Sequence, residues 1–380
     1  MSRRLALNVG AMTLMWSAFV VASPSAVAFS AEPSLALADG DRVTLIGGTL
    51  IERAQQYGYW ETLVTCRYPE NRITFRNLGW SADDVEAEAW SGFDTPAEGF
   101  ARRKSRVRET EPTVVLIALG MAESFEGPNG VPHFVEGLNR VIDSVSESEA
   151  RVVLMSPNRH EDLGRPLPVP MVHNRHLALY RNAIRDVAAG RGLGWLDLFA
   201  ATNGGDVADE TLTDNGIHLT EYGYWRTAGL VDRWFGPSPA QWSVAIDVQP
   251  GEPAEIGEVK SEGTRLDDLT VTAGGVRFTT QDRVLPAPLA PRHDGEAEML
   301  PGYERSLTIA GLRAGTYELR IDDEAVAAGD AEAWSRGVRS PPVRNTARSS
   351  SWHRHHREER VVLPLLAAGE LHVSVRASSL

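Results

Sequence analysis

Thr113 to Leu119 (TVVLIAL) reads as a fully apolar strand, entered through Pro112. A β-strand with no polar alternate positions has no face to give to water, so it must be covered on both sides. Val43–Ile46 and Arg151–Met155 (RVVLM) repeat that character; Ile73-Thr74-Phe75 begins a second strand and Leu193–Leu198 supplies a fifth. Helical spacing fills the intervals. Leu50, Ile51, Ala54, Tyr57, Trp60, Leu63 and Val64 predict a helix from Thr49 to about Arg67. Phe134–Val145, His176–Ala189 and Tyr222–Phe235 predict three more. Buried strands alternating with helices specify an α/β class, a flavodoxin-like three-layer α/β/α with a five-stranded parallel sheet. Ligands of such sheets bind beyond the carboxyl ends of the strands. The segments to inspect are therefore Gly47–Thr49, Asn77–Asp84, Gly120–Glu123, Ser156–His160 and the loop before the last helix.

The pattern changes after Gly236-Pro237-Ser238-Pro239. Trp242, Val244, Ile246 and Val248 alternate, as do Tyr317, Leu319 and Ile321, and then Leu371, Val373 and Val375. Period-two spacing predicts a smaller β-rich domain, a sandwich, over 240–380. Within it, 285–302 and 339–360 read as irregular loops. The α/β domain is placed at 38–236. Residues 1–28 read as a signal peptide: Arg3 and Arg4, an apolar stretch from Leu5 to Ala22, then Ala26-Val27-Ala28 as a small-residue cleavage pattern. This predicts an exported protein, periplasmic, cell-surface or secreted, with no membrane span after signal removal.

Charge narrows the partners. The 380 residues carry 38 Lys and Arg against 51 Asp and Glu, a net charge of -13. Loss of 1–28 would remove two arginines and no acid. Such a surface repels polyanions, so nucleic acid is excluded as a natural partner. The single cysteine, Cys66, cannot form an internal disulfide and sits in an apolar helical pattern as a small buried side chain.

Three phrases stand at predicted strand ends and a fourth before the last predicted helix: Ile46-Gly47-Gly48-Thr49, Arg76-Asn77-Leu78-Gly79-Trp80-Ser81-Ala82-Asp83, Leu119-Gly120-Met121-Ala122-Glu123, and Asp214-Asn215-Gly216-Ile217-His218-Leu219. Their order and spacing over about 195 residues resemble the SGNH (GDSL-like) hydrolases, in an exported multidomain bacterial branch. The resemblance implies the SGNH hydrolase fold. It implies ester hydrolysis by a nucleophile after the first strand and oxyanion donors after the second and third. It also implies a histidine base with an orienting aspartate three residues earlier. Thr49 stands at the nucleophile position and His218 at the base. The oxyanion positions hold Ala82 and Ala122 in place of glycine and asparagine. Asn215 stands where the aspartate belongs, with Asp214 one residue off. A threonine nucleophile and the Asp-Asn-Gly-Ile-His spelling are usual in that branch, whereas Ala82 and Ala122 are particular to this chain. The implied substrates are small acyl or acetyl esters, including those on carbohydrate, with no cofactor.

Each departure has a physical consequence. Threonine keeps a hydroxyl but its methyl restricts χ1. Ala82 keeps a backbone N–H and crowds the turn if its φ is positive. Losing a side-chain oxyanion donor at 122 typically costs roughly 10²–10³ in rate. An amide replacing the orienting carboxylate costs about 10⁴ in a protease. The two together bound the loss at ~10⁶–10⁷, since one catalytic unit is not additive. Other roles stay open. Thr49 could cap the first helix, His218 could be a structural hydrogen-bonder, and Asp214 a turn former. Asn77 and Glu123 are possible crevice residues, Glu123 as a replacement acid or a solvated loop carboxylate. Asp83 and Asp84 read as helix caps. The alternative function is a catalytically inactive module holding a glycan or acyl ligand, with Trp80 and Trp90 as stacking candidates. No metal site is expected. The His353-Arg354-His355-His356 run interleaves arginine, and His133, His160, His173 and His176 lack ligand spacing. Arg102-Arg103-Lys104 reads as a solvated helix face. There is no Walker loop, and Gly190, Gly192 and Gly194 precede a strand rather than a helix.

Overall fold

The computed structural model describes residues 35–203, 210–236, 242–340 apart from 252, 273–274, 284, 292–298, 301 and 322–323, and 371–377. The signal peptide expected at 1–28 and the histidines at 353–356 lie outside the described residues.

Five parallel strands form the central sheet: β1 (Arg42–Gly47), β2 (Thr74–Asn77), β3 (Val114–Ala118), β4 (Arg151–Met155) and β5 (Gly194–Leu196). They lie in the order β2-β1-β3-β4-β5. Side chains of one strand point alternately to the two faces, and the core divides accordingly. Val43, Leu45, Val114, Leu116, Val153 and Met155 face one layer. That layer is α1 (Thr49–Tyr57), α2 (Tyr59–Arg67) and, later in the chain, the closing helix Glu221–Trp234. Ile46, Val115, Ile117, Val152 and Leu154 face the other, where Val107, Phe134, Leu138, Tyr180 and Ile184 pack. Those come from α4 (Pro96–Glu109), α5 (Val131–Ser146) and α6 (Met171–Arg191), with the short α3 (Glu88–Ser91) before them. A short α7 (Leu198–Ala201) precedes the closing helix, α8. The three-layer α/β/α class read from the sequence is the one observed.

Two local expectations are corrected. The helix over 49–67 is two helices, because Gly58 takes φ 65° as the C-cap of α1 and N-cap of α2. The apolar spacing continues across that break, so periodicity alone did not show it. The fifth strand is only three residues long, since Asp197 turns out of the sheet to cap α7 through the Ala200 N–H.

The remaining strands form two further sheets. One has β7 (Glu255–Glu262), β6 (Trp242–Gln249), β10 (Arg305–Ala310) and β13 (Val338–Ser340) side by side. The other has β8 (Thr264–Thr272), β9 (Gly275–Asp282), β14 (Leu371–Ala377), β11 (Thr316–Ile321) and β12 (Glu324–Asp330). Val244, Ile246, Leu307 and Ile309 of the first share one core with Val276, Phe278, Leu319 and Ile321 of the second, as a sandwich requires. Trp334, on α9 (Ala331–Arg336), is fully buried in it.

The stretch read as an irregular loop at 285–302 has no regular structure where it is described, yet it is firmly docked. Leu285 N–H donates to Cys66 O at 2.8 Å, and Trp225 Nε1 to Pro288 O at 2.8 Å. Leu300 is 1% exposed within the α/β core. Just beyond, Tyr303 donates its hydroxyl to Asp232, which also pairs with Arg67 at 2.5 Å inside α8 and α2. The chain thus returns from the β-rich part to complete the α/β layer. Leu300→Ala in the full chain should lower stability by about 2–5 kcal/mol, read from the denaturant midpoint. An unchanged midpoint would mean the segment does not pack there.

Candidate active site

β1 ends at Gly47, where a Cβ would stand 2.4 Å from Ala118 O, so only glycine lets the turn pass. Gly48 is the N-cap of α1 and Thr49 its first residue. The Thr49 hydroxyl is therefore not a cap. Its Oγ1 accepts the Ala82 N–H at 3.1 Å. Ala82 does hold a positive φ, 60°, a conformation that costs an L-residue roughly 1–2 kcal/mol. The loop that carries it is tied to β1 and α1. Trp80 N–H donates to Gly47 O at 3.0 Å and Leu78 N–H to Leu45 O at 2.9 Å. Asn77 braces it from inside, donating through Nδ2 to Ile51 O at 2.7 Å and accepting the Gly79 N–H at 2.9 Å.

The turn after β3 carries Ala122, which has only a methyl to present. Next to it Glu123 is buried, not solvated. Its Oε1 accepts the Val85 N–H and its Oε2 the Gly120 N–H, both at 2.9 Å. Burial pushes its carboxyl up to about 7, and the backbone donors work against that shift. One carboxylate thus ties the loop after β2 to the turn after β3.

The third contribution is the loop before α8, whose N-cap is Thr220. Asn215 organises it. Its Oδ1 accepts the Ile217 N–H at 3.1 Å and the His218 N–H at 2.9 Å, and its Nδ2 faces His218 Nδ1 at 3.1 Å. Two backbone donors fix which end of the amide is oxygen, so nitrogen is the end that meets the imidazole. An NH₂ group only donates, so Nδ1 must be the bare, accepting nitrogen and the ring proton sits on Nε2. Burial, then the nearby Arg53 charge, push His218 below its usual value, and Asp214 opposes them. Asp214 pairs with Arg53 Nη2 at 2.6 Å. Arg53 lies one turn beyond Thr49 on α1, so this ion pair ties the His218 loop to the Thr49 helix.

Residues outside the four phrases hold the loop in place. Glu161 accepts the N–H groups of Leu212 (3.0 Å) and Thr213 (2.7 Å) and the Thr213 hydroxyl at 2.5 Å. Its own N–H donates to Gly216 O, and Asn158 Nδ2 to Ile217 O. Gly216 has φ 95°, and a Cβ there would meet His160 Nε2 at 2.6 Å. Sequence reasoning missed Glu161 because it lies one residue past the segment after β4. The only available signal was a carboxylate following a buried strand.

Three other expectations are revised. Asp83 does not cap a helix; it is buried against Arg103 at 3.0 Å, so Arg103 leaves the solvated face expected for Arg102–Lys104. Asp84 does accept the Glu88 N–H, at 3.1 Å. Trp90 is buried while Trp80 is 50% exposed, their rings 5.2 Å apart. His160 and His173 meet Nδ1 to Nδ1 at 3.0 Å, but among the described residues no group of three metal-binding side chains converges. Cys66 is half-buried, where a buried side chain was expected, and desolvation pushes its thiol up to about 12.

This layout matches a known family. The model of the GDSL-like Lipase/Acylhydrolase family matches residues 43–226. Residues 43–226 are a GDSL-like lipase/acylhydrolase domain. No curated protein sequence matches the chain. Among solved structures it is similar to BT4096, a gut microbial diltiazem-metabolizing enzyme, at 17% identity and TM-score 0.60 over 81% of this chain and 74% of that one. Axe2, an acetylxylan esterase from Geobacillus stearothermophilus, matches at 17% identity and TM-score 0.43, over 53% of this chain and 97% of its own. LAE5, an alpha/beta hydrolase enzyme from the metagenome of Lake Arreo, matches at 15% identity and TM-score 0.42, over 53% and 98%. The coverage by BT4096 carries the shared fold past the acylhydrolase domain into the β-rich part. No helix among the described residues is long and apolar enough to cross a membrane.

The buried Glu123 of the acylhydrolase domain gives a pH signature. Its folded-state pKa of about 7 lies above the ordinary 4.5, so its contribution to stability is fullest below pH 4.5 and fades as pH rises through 7. Urea unfolding of Glu123→Gln against wild type should show a stability difference that changes over that window. A pH-independent difference would contradict it.

Proposed function

We propose that the acylhydrolase domain acts on small acyl or acetyl esters, with Thr49 as nucleophile and His218 as its base, and that Asn215 keeps this chemistry slow. The observation that carries the proposal is the Ala82 N–H donating to Thr49 Oγ1. A backbone donor aimed at the nucleophilic oxygen also faces the carbonyl oxygen of an ester bound against it, the position in which negative charge develops. Because Thr49 Oγ1 accepts this bond, its own proton is free to pass to an imidazole. His218 would take that proton and return it to the departing alcohol, after which water attacks the acyl-threonine and His218 repeats the exchange.

The Asn215 amide acts against the first step. It stabilises the Nε2–H tautomer, whereas a base must present a bare nitrogen to the hydroxyl and keep its proton on the side of the orienting residue. The ring then enters the pocket as a hydrogen-bond donor, which suits holding an ester oxygen better than deprotonating threonine. That observation favours the second reading, a module that binds an acyl or glycan ligand with little turnover. Trp80, half exposed two residues from Ala82, supports a sugar as the alcohol part of the ligand. Export, read from residues 1–28, belongs to the same proposal.

The readings separate in one assay of acetyl-ester hydrolysis. Wild type should turn over slowly, Thr49→Ala should abolish the rate, and Asn215→Asp should raise it by about 10²–10⁴. Equal rates for wild type and Thr49→Ala would end the hydrolase reading. A silent Asn215→Asp variant that still binds the ester would leave the binding module.

A further inference from the structure

Asn215 is followed by glycine, and the hydrogen bonds around that pair have a chemistry of their own. Gly216 N–H donates to Thr213 Oγ1 at 3.2 Å, and Thr213 Oγ1 in turn donates to the Glu161 carboxylate at 2.5 Å. The Asn215 side-chain carbonyl oxygen accepts two backbone N–H bonds, from Ile217 and His218, and its nitrogen rests against His218 Nδ1. Asn215 is half-buried and Gly216 is buried, its N–H directed at Thr213 Oγ1. A backbone nitrogen beside a side-chain amide, a route for its proton and two donors on the amide oxygen are the parts of an acyl transfer.

We infer that Asn215-Gly216 is a self-modification site, at which Asn215 converts to aspartate and supplies the orienting carboxylate that His218 lacks. The Gly216 nitrogen attacks Asn215 Cγ, its proton passing through Thr213 Oγ1 to Glu161. A new C–N bond closes a five-membered imide and the Cγ–Nδ2 bond breaks. The leaving nitrogen faces the bare His218 Nδ1, so it takes its proton from water while Glu161 gives the Gly216 proton back to solvent, and it departs as ammonia. Water then opens the imide at Cγ, so the balance is one water consumed and one ammonia released, with no oxidant or reductant. The new carboxylate keeps the Ile217 and His218 N–H bonds on one oxygen. Its other oxygen accepts rather than donates at His218 Nδ1, which moves the ring proton to Nδ1 and bares Nε2. The glycine is demanded by the fold, through its φ of 95° and the His160 ring against it. The sequence that converts most readily is therefore also the one the turn requires.

This inference rests on the role proposed for His218, so its test reads the conversion separately from activity. Freshly purified full-length protein is incubated over days, and peptide mapping follows residue 215 by mass and by chromatographic separation of aspartate from isoaspartate. Aspartate should accumulate in the folded chain, Thr213→Val should slow it by about 10²-fold, and Thr213→Ser should restore the wild-type rate. Acetyl-ester hydrolysis should rise in step with the aspartate fraction towards the Asn215→Asp value. An amide that stays intact in the folded chain while the same chain held unfolded in urea converts would overturn the inference, as would isoaspartate as the sole product. Conversion without any gain in hydrolysis, with Asn215→Asp equally silent, would uphold the modification and remove the hydrolase role.

Discussion

The Asn215 side chain makes three hydrogen bonds, and the shape and chemistry of the candidate site depend on them. Two go from backbone N–H groups to its oxygen and curl the loop so that His218 faces back along it. The third, from its nitrogen to His218 Nδ1, decides where the ring carries its proton. An aspartate would form the first two bonds equally well and reverse the third. On the reading proposed above, one atom at residue 215, nitrogen against oxygen, separates a site that turns an ester over from one that holds it.

The rest of the molecule supplies rigidity around that point. Parallel strands buried on both faces place Thr49, at the start of α1, and the loops carrying Ala82 and Ala122 just beyond the carboxyl ends of β1, β2 and β3. Loops gain definition when their polar backbone groups find partners, and here buried carboxylates provide them. Glu161 collects two N–H groups and a hydroxyl from the His218 loop, and Glu123 collects one N–H from each of two neighbouring turns. Asp214 and Arg53 join the histidine loop to the helix that starts at Thr49. The chain beyond 285 then closes over α2 and α8, so the acylhydrolase core includes side chains from well past its own strands.

Much of this was legible in the sequence because it follows from local pattern. Continuous apolar runs such as Val114–Leu119 can only be central strands, and the four phrases follow β1, β2, β3 and the end of α7. The candidate nucleophile and base could be named from those phrases, and a positive φ at Ala82 was the condition on which its cost depended. What escaped were the long-range partners. Nothing near Asp83 announces Arg103, nothing near Glu123 announces the Val85 N–H, and Glu161 sits in a loop whose meaning depends on a strand of chain fifty residues away. Gly58 escaped for a different reason. A left-handed cap can split a helix without disturbing the apolar face on either side.

The account stands or falls on the protonation of one ring. Nitrogen-15 spectra of imidazole-labelled protein at neutral pH, assigned by loss of the signal in His218→Gln and taken on freshly made chain, report that directly. The account predicts a neutral ring with its proton on Nε2, moving to Nδ1 when residue 215 is aspartate. A wild-type ring already protonated on Nδ1 would mean the amide does not set the tautomer, and the proposal that Asn215 slows ester hydrolysis would be wrong.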